Sequence, residues 1–174
     1  MKLEIRGIIK NTEDAREKVE ELGGKLLGNY EFKDIIFSEN ENSNLSKDFL
    51  RLRCYSKTNW STKKFVLVRK KTKFKKSGKT SKNVFKKEFD DKKSSMDQIK
   101  EKFPNFKKIV EYSREGWQYQ LGKNRIFIEN IKGYKPSIEI ESENKRELKK
   151  ILAGVNILKI LKESIPEIMR KIKK

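Results

Sequence analysis

Ser137-Ile138-Glu139-Ile140-Glu141-Ser142 alternates without a break. Read as a strand, it sends Glu139 and Glu141 to one face and Ile138 and Ile140 to the other. One such strand is an ordinary half-buried element with two solvated carboxylates. Several other stretches repeat the pattern with charges on one face, so those faces either all meet water or meet each other across an enclosed polar space.

The flanking sequence supplies the other strands. Residues 2–9 alternate, with Leu3 and Ile5 on one side and Lys2, Glu4 and Arg6 on the other. Residues 25–38, 49–54, 64–70, 83–90, 107–119 and 125–130 read as further strands. Asn11 or Thr12 caps a helix carrying Ala15, Val19 and Leu22, which Gly23-Gly24 ends. Ser95 with Gln98 has the form of a capping box for a short helix that stops before Pro104. Asn144 with Glu147 does the same ahead of Leu148, Ile151, Leu152 and Val155. Ile157, Leu158, Ile160 and Leu161 suggest another helical turn or two, and Ser164-Ile165-Pro166 starts a C-terminal helix. The segment 39–47 is a loop, and the basic stretch Lys71–Lys82 reads as a mobile loop. About eight strands with helices inserted at two points and gathered at the end make an antiparallel α+β protein.

Composition narrows the chemistry. The 174 residues are most simply one domain spanning 1–174, long enough for a real core, although only 34% are hydrophobic and 40% are charged. There is no histidine, which removes Ser-His-Asp and Cys-His nucleophile systems and every histidine-containing zinc site. Acid–base or metal chemistry then falls to carboxylates, lysines and tyrosines, and carboxylates favour hard cations such as Mg²⁺ or Mn²⁺. The single cysteine, Cys54, forms no internal disulfide. With no apolar run of membrane-spanning length and a charged N-terminus, the expectation is a cytoplasmic protein with no membrane partner. A net charge of +19 points to a polyanionic partner: nucleic acid, a nucleotide or an inorganic polyphosphate.

Two local motifs fail on context. Ser77-Gly78-Lys79-Thr80 imitates the end of a P-loop, but Lys73 stands where the first glycine belongs and a strand follows instead of a helix. Asn44-Leu45-Ser46 and Asn59-Trp60-Ser61 are glycosylation sequons by pattern only. Residues 69–82, with Phe74 inside and Trp60 nearby, have the charge and the aromatic groups to contact nucleic acid, while a solvated loop is the simpler reading.

The constellation with information is the set of charged strand faces: Glu4/Arg6, Arg51/Arg53, Lys70, Lys86/Glu88, Arg114, Glu129 and Glu139/Glu141. Inside a closed barrel of about eight strands there is room for side chains or one small ligand. Carboxylates there would hold metal and cations would hold phosphate oxygens, the pairing phosphoryl chemistry needs. A sandwich with its charges outside gives the same alternation, and the pattern leaves the two open.

The order of segments resembles the CYTH-domain family, the triphosphate tunnel metalloenzymes, most closely its class IV adenylyl cyclase-like branch with thiamine triphosphatases as relatives. Leu3–Arg6 stands where the ExExK strand belongs, and Ala15–Lys25 matches the first helix with its glycine stop. Asp34–Phe37 matches the D-x-Y-F strand, Leu50–Arg53 the LRxR strand, and Val66–Lys70 the strand ending in lysine. Lys86–Asp90 fits RxExE, Val110–Arg114 the strand with a basic end, and Ile126–Gly133 followed by Ser137–Glu141 the long signature ending in EIE.

That resemblance implies an eight-stranded antiparallel closed β-barrel, a tunnel, with helices on the outside and at the C-terminus. It implies triphosphate binding by Arg6, Arg51, Arg53, Lys70, Lys86 and Arg114. Catalytic roles fall to Glu4, Arg6 and Glu88, and a Mg²⁺ or Mn²⁺ site to Glu4, Glu129, Glu139 and Glu141. The implied activity is metal-dependent hydrolysis of a triphosphate or adenylyl cyclisation, with a nucleoside triphosphate, thiamine triphosphate or inorganic triphosphate as substrate. The alternative is a non-catalytic polyphosphate- or nucleotide-binding module on the same fold, and after that a basic nucleic-acid-binding protein. A homodimer is compatible with all three.

The chain also departs from the family pattern. Lys2 stands in place of the first glutamate, Arg6 in place of a lysine and Glu129 in place of an aspartate. Ile165 and Pro166 lie near the C-terminal SY motif, and Tyr134-Lys135-Pro136 replaces a Leu-Gly turn. Exchanging a metal-facing carboxylate for an ammonium alters the local charge by two units, which weakens divalent binding.

Overall fold

The computed structural model describes residues 3–58, 65–75 and 78–173. Lys2, Lys64, Trp60 with its sequon, and Ser77 lie outside them. The described elements run β1 (Leu3–Ile8), α1 (Thr12–Glu21), β2 (Lys25–Ser38), β3 (Asp48–Thr58), β4 (Phe65–Lys75), β5 (Gly78–Phe89), α2 (Lys92–Lys102), β6 (Lys107–Leu121), β7 (Asn124–Ile131), β8 (Ser137–Ser142), α3 (Lys145–Gly154), β9 (Lys159–Ile160) and α4 (Ile165–Ile172).

One sheet holds all the strands, in the order β5-β4-β3-β2-β6-β7-β8-β1-β9. A further antiparallel pairing of β5 with β1, Glu4 opposite Lys79, closes a ring of eight hydrogen-bonded strands. The α+β, antiparallel, closed-sheet expectation holds.

The chain divides into two compact units. The first comprises Met1–Tyr30, Phe74–Thr80 and Arg114–Lys162. Here β1, β7 and β8 are two-faced, as their period-2 sequences require. Ile126, Ile128, Ile138 and Ile140 are fully buried in one cluster with Leu3 and Tyr119. Ala15 and Val19 of α1, with Leu148, Ile151 and Val155 of α3, pack onto the same face. Each isoleucine contributes roughly 1.5–3 kcal/mol by leaving water. Asn11 caps α1 by accepting from the Asp14 amide at 2.8 Å. Gly23, at φ 90°, takes the left-handed conformation that ends the helix without a side-chain clash.

The second unit comprises Glu31–Lys73, Ser81–Ser113 and Glu163–Lys174. Its apolar face gathers Ile35 and Phe37 of β2, Leu50 and Leu52 of β3 and Leu67 of β4 beneath Ile99 and Met96 of α2. The 39–47 loop is docked onto the start of α4: the Ser164 hydroxyl donates to the Leu45 carbonyl at 2.9 Å, and the Leu45 amide donates to Glu167 at 3.0 Å.

Three local expectations need correction. In the basic stretch Lys71–Lys82 the described residues are strand and not loop: β4 runs to Lys75 and β5 begins at Gly78. A hairpin pairs backbone groups whatever the side-chain charge, and Thr72, Phe74, Thr80 and Val84 are good strand formers. The Thr72 and Ser81 hydroxyls meet at 3.1 Å. The segment around Leu158 and Ile160 is not helical either. It forms β9, whose flanking amides Leu158 and Leu161 donate to the carbonyls of Ile8 (2.9 Å) and Arg6 (2.8 Å). These bonds satisfy the part of β1's edge that β5 does not reach. Finally, α2 starts earlier than Ser95: Asp91 is its N-cap, accepting from the Ser94 amide at 2.7 Å.

Ile140→Ala, a deletion from the fully buried cluster, is expected to cost about 2–5 kcal/mol in denaturant unfolding, whereas Ile160→Ala on half-exposed β9 costs about 0.5 kcal/mol or less. Equal losses at the two positions would contradict this packing.

Candidate functional site

The strand faces turned away from the helices carry the charges. In the first unit, β1 and β8 pair so that Arg6 lies opposite Glu139 and Glu4 opposite Glu141. β7 places Phe127 opposite Glu139, and Glu129 opposite Ser137. Sequence parity and strand register therefore deliver these groups to one face.

At its centre is the Glu129 carboxylate, only 3% exposed. Its Oε2 accepts from Nη1 of Arg6 at 2.5 Å and from Nη1 of Arg114 at 3.0 Å. Its Oε1 accepts from the Tyr30 hydroxyl at 2.6 Å. Arg6 spends the rest of its fork on the same face: Nη2 and Nε donate to Glu139 Oε2 at 2.8 and 3.1 Å, and Nη1 to the Ser137 hydroxyl at 3.0 Å. Two guanidiniums and two carboxylates balance to zero net charge, the condition under which charges can stay out of water. Gly116 makes room for the tyrosine: a Cβ there would stand 2.7 Å from its Cζ and hydroxyl oxygen.

Ionisation follows from this geometry. Burial would push the Glu129 acid up, but Arg114 and Arg6 overcome it and hold the carboxyl down at about 2. Burial opposes the charge on Arg6, yet Glu139 and Glu129 more than offset that and raise its pKa above the usual value. Burial first, and the adjoining Glu129 charge next, hold the Tyr30 hydroxyl well above its ordinary range. Tyr30 therefore stays protonated and serves as a donor.

Glu4 lies on the same face and forms a 2.7 Å ion pair with Lys79 of β5. Glu141, across from it on β8, is half-buried. Among the described residues no three acidic groups stand close enough to cage a metal by themselves.

The second unit holds the other basic residues. Arg53 grips fully buried Asp34 through Nε at 2.8 Å and Nη2 at 2.9 Å, and Arg51 Nε lies 4.0 Å from the same carboxylate. Lys70 is half-buried opposite Phe49, while the more exposed Lys86 pairs with Glu88 at 3.6 Å. The structure thus brings Arg6, Arg114, Glu129 and Glu139 together, Glu4 with Lys79, Arg51 with Arg53, and Lys86 with Glu88. Four residues absent from the predicted site take part: Tyr30, Lys79, Ser137 and Asp34.

No family model matches the chain, and no curated protein matches it. Among solved structures, the PH1819 protein of Pyrococcus horikoshii OT3 superposes with a TM-score of 0.80 at 19% identity, covering 100% of both chains. The PH1012 protein of the same organism gives 0.72 at 22% identity over 99% of each. A candidate adenylyl cyclase from Hippeastrum, HpAC1, described by a dominant triphosphatase activity, gives 0.70 at 14% identity, covering 98% of this chain and 96% of that one.

The chain has the fold of these proteins. At such identities the likeness concerns backbone architecture.

Because the Glu129 pKa is depressed in the folded chain, its contribution is present above the unfolded value of 4.5 and is lost as pH falls toward about 2. Glu129→Gln is expected to cost about 3 kcal/mol at pH 7, and the gap from wild type should close across that acid window. Urea unfolding at several pH values reads it; a gap that persists unchanged below pH 3 contradicts the ionisation described.

Proposed function

We propose that the chain binds a triphosphate-containing compound and processes it with a divalent metal, by phosphohydrolysis or adenylyl cyclisation. A nucleoside triphosphate, thiamine triphosphate and inorganic triphosphate are the candidate substrates. The observation that carries this reading is the polar face where Arg6 of β1, Arg114 of β6 and Lys79 of β5 stand among Glu129, Glu139 and Glu4. Phosphate oxygens resemble carboxylate oxygens in charge and spacing. Guanidiniums already shaped to carboxylates can exchange one for the other as bidentate donors. The fold shared with HpAC1, described by its triphosphatase activity, supports the same reading.

A hard cation would draw on the carboxylate oxygens of Glu139, Glu141 or Glu4, since Mg²⁺ or Mn²⁺ commonly binds through one or two carboxylates plus waters and substrate phosphates. Glu129, with both oxygens engaged, serves instead to hold Arg6 and Arg114. When bound, the metal neutralises charge that develops on the phosphoryl oxygens.

The protein's own groups do the remainder. Arg6 and Arg114 fix the phosphates, and with Lys79 they oppose the negative charge of the transition state. Glu4 and Glu88 are the carboxylates assigned to orient the attacking group. Arg51, Arg53, Lys70 and Lys86 supply further phosphate contacts in this reading.

A second reading has an observation of its own. Glu129, Glu139 and Glu4 each already carry a protein cation, an arrangement suited to a polyphosphate binder that needs no metal.

Incubating purified protein with Mg²⁺ or Mn²⁺ and tripolyphosphate, thiamine triphosphate or ATP is expected to release phosphate or pyrophosphate from at least one. Arg114→Ala should lower kcat/KM by about 10²–10³. Metal-indifferent binding without turnover would establish the second reading, and absence of both binding and turnover would remove both.

A further inference from the structure

We propose that Asp34 is a positioning residue for phosphate recognition: its buried carboxylate fixes the guanidinium of Arg53 and balances that of Arg51. The inference rests on the phosphate-binding reading of those two arginines.

The sequence arranges the group by simple periodicity. Arg51 and Arg53 are two apart on β3, and Phe32 and Asp34 two apart on β2, the neighbouring strand. Each pair therefore shares a face. Asp34 is 0% exposed, and its carboxylate accepts from Nε and Nη2 of Arg53. The ring of Phe32 lies beneath, its centroid 3.6 Å from the Arg53 guanidinium carbon. Two bonds in the guanidinium plane and one ring against it define that plane's position and tilt.

Arg51 brings a second guanidinium to the same carboxylate, its Nε 4.0 Å away, and the two arginine side chains, Arg53 and Arg51, keep 16% and 19% of their surface exposed. A buried anion that holds partly exposed cations keeps those cations within reach of an external polyanion.

The proposal predicts a sign opposite to simple electrostatics. Asp34→Asn adds one unit of positive charge, which by Coulomb attraction alone would tighten anion binding. If orientation is what Asp34 provides, the same exchange loosens it, because an unfixed fork must be ordered on binding.

Calorimetric titration of the intact chain with tripolyphosphate at fixed salt decides the matter. Asp34→Asn is expected to weaken binding about tenfold. Arg53→Lys, which keeps the charge and loses the fork, should do about the same, and the double exchange should add nothing further. A variant that binds as tightly as wild type, or losses that add in the double exchange, would overturn the proposal. Should Asp34→Asn fail to fold, Phe32→Leu removes the ring while leaving every charge; unchanged affinity there overturns the proposal equally. Failure of wild type itself to bind would end the phosphate-binding reading and the role of Asp34 with it, an outcome distinct from tight binding that ignores Asp34.

Discussion

A carboxylate with almost no solvent contact, between two guanidiniums, is the interaction on which this structure turns. Glu129 accepts from Arg6, Arg114 and Tyr30 at once. Without it, two buried cations would face each other on the strands around it at a cost of several kcal/mol. With it, positive charge can be kept dry and oriented, which is what a phosphate group meets with least reorganisation. Stability and recognition thus draw on the same group of side chains.

The strands can do this because their two faces are assigned to different tasks. Isoleucines at every second position tie β7 and β8 to α1 and α3, and the intervening positions are left for charge. The packing face resists distortion, since a shift of one residue would exchange isoleucines for glutamates at the helices. That rigidity fixes the register in which Arg6 lies opposite Glu139. The second unit repeats the division, with Leu50 and Leu52 toward α2 and Arg51 and Arg53 on the other face.

Much of this was legible in the sequence, for a physical reason: parity along a strand is a one-dimensional property. Ile138/Ile140 against Glu139/Glu141, and Leu50/Leu52 against Arg51/Arg53, could be separated before any fold was known. Partner choice could not. Tyr30 alternates with polar neighbours along β2 and reads as core, and the carboxylate it serves is 99 positions away. Lys79 lies in a lysine-rich stretch whose charge density masks its strand propensity. The two residues of β9 are too few to show a period, and only the open edge of β1 gives them their conformation. Asp34 was visible as a motif residue, but its buried position beneath two arginines belongs to the tertiary structure.

The central claim is that Glu129 is an ion locked between two cations. Carbon-13 labelling of glutamate side chains, with Glu129 assigned by substitution and its carboxyl shift followed from pH 8 down to the limit of folding, measures this directly. A carboxylate held by both guanidiniums gives a flat response through pH 4 and a midpoint near 2. A midpoint at the ordinary 4.5 would contradict it.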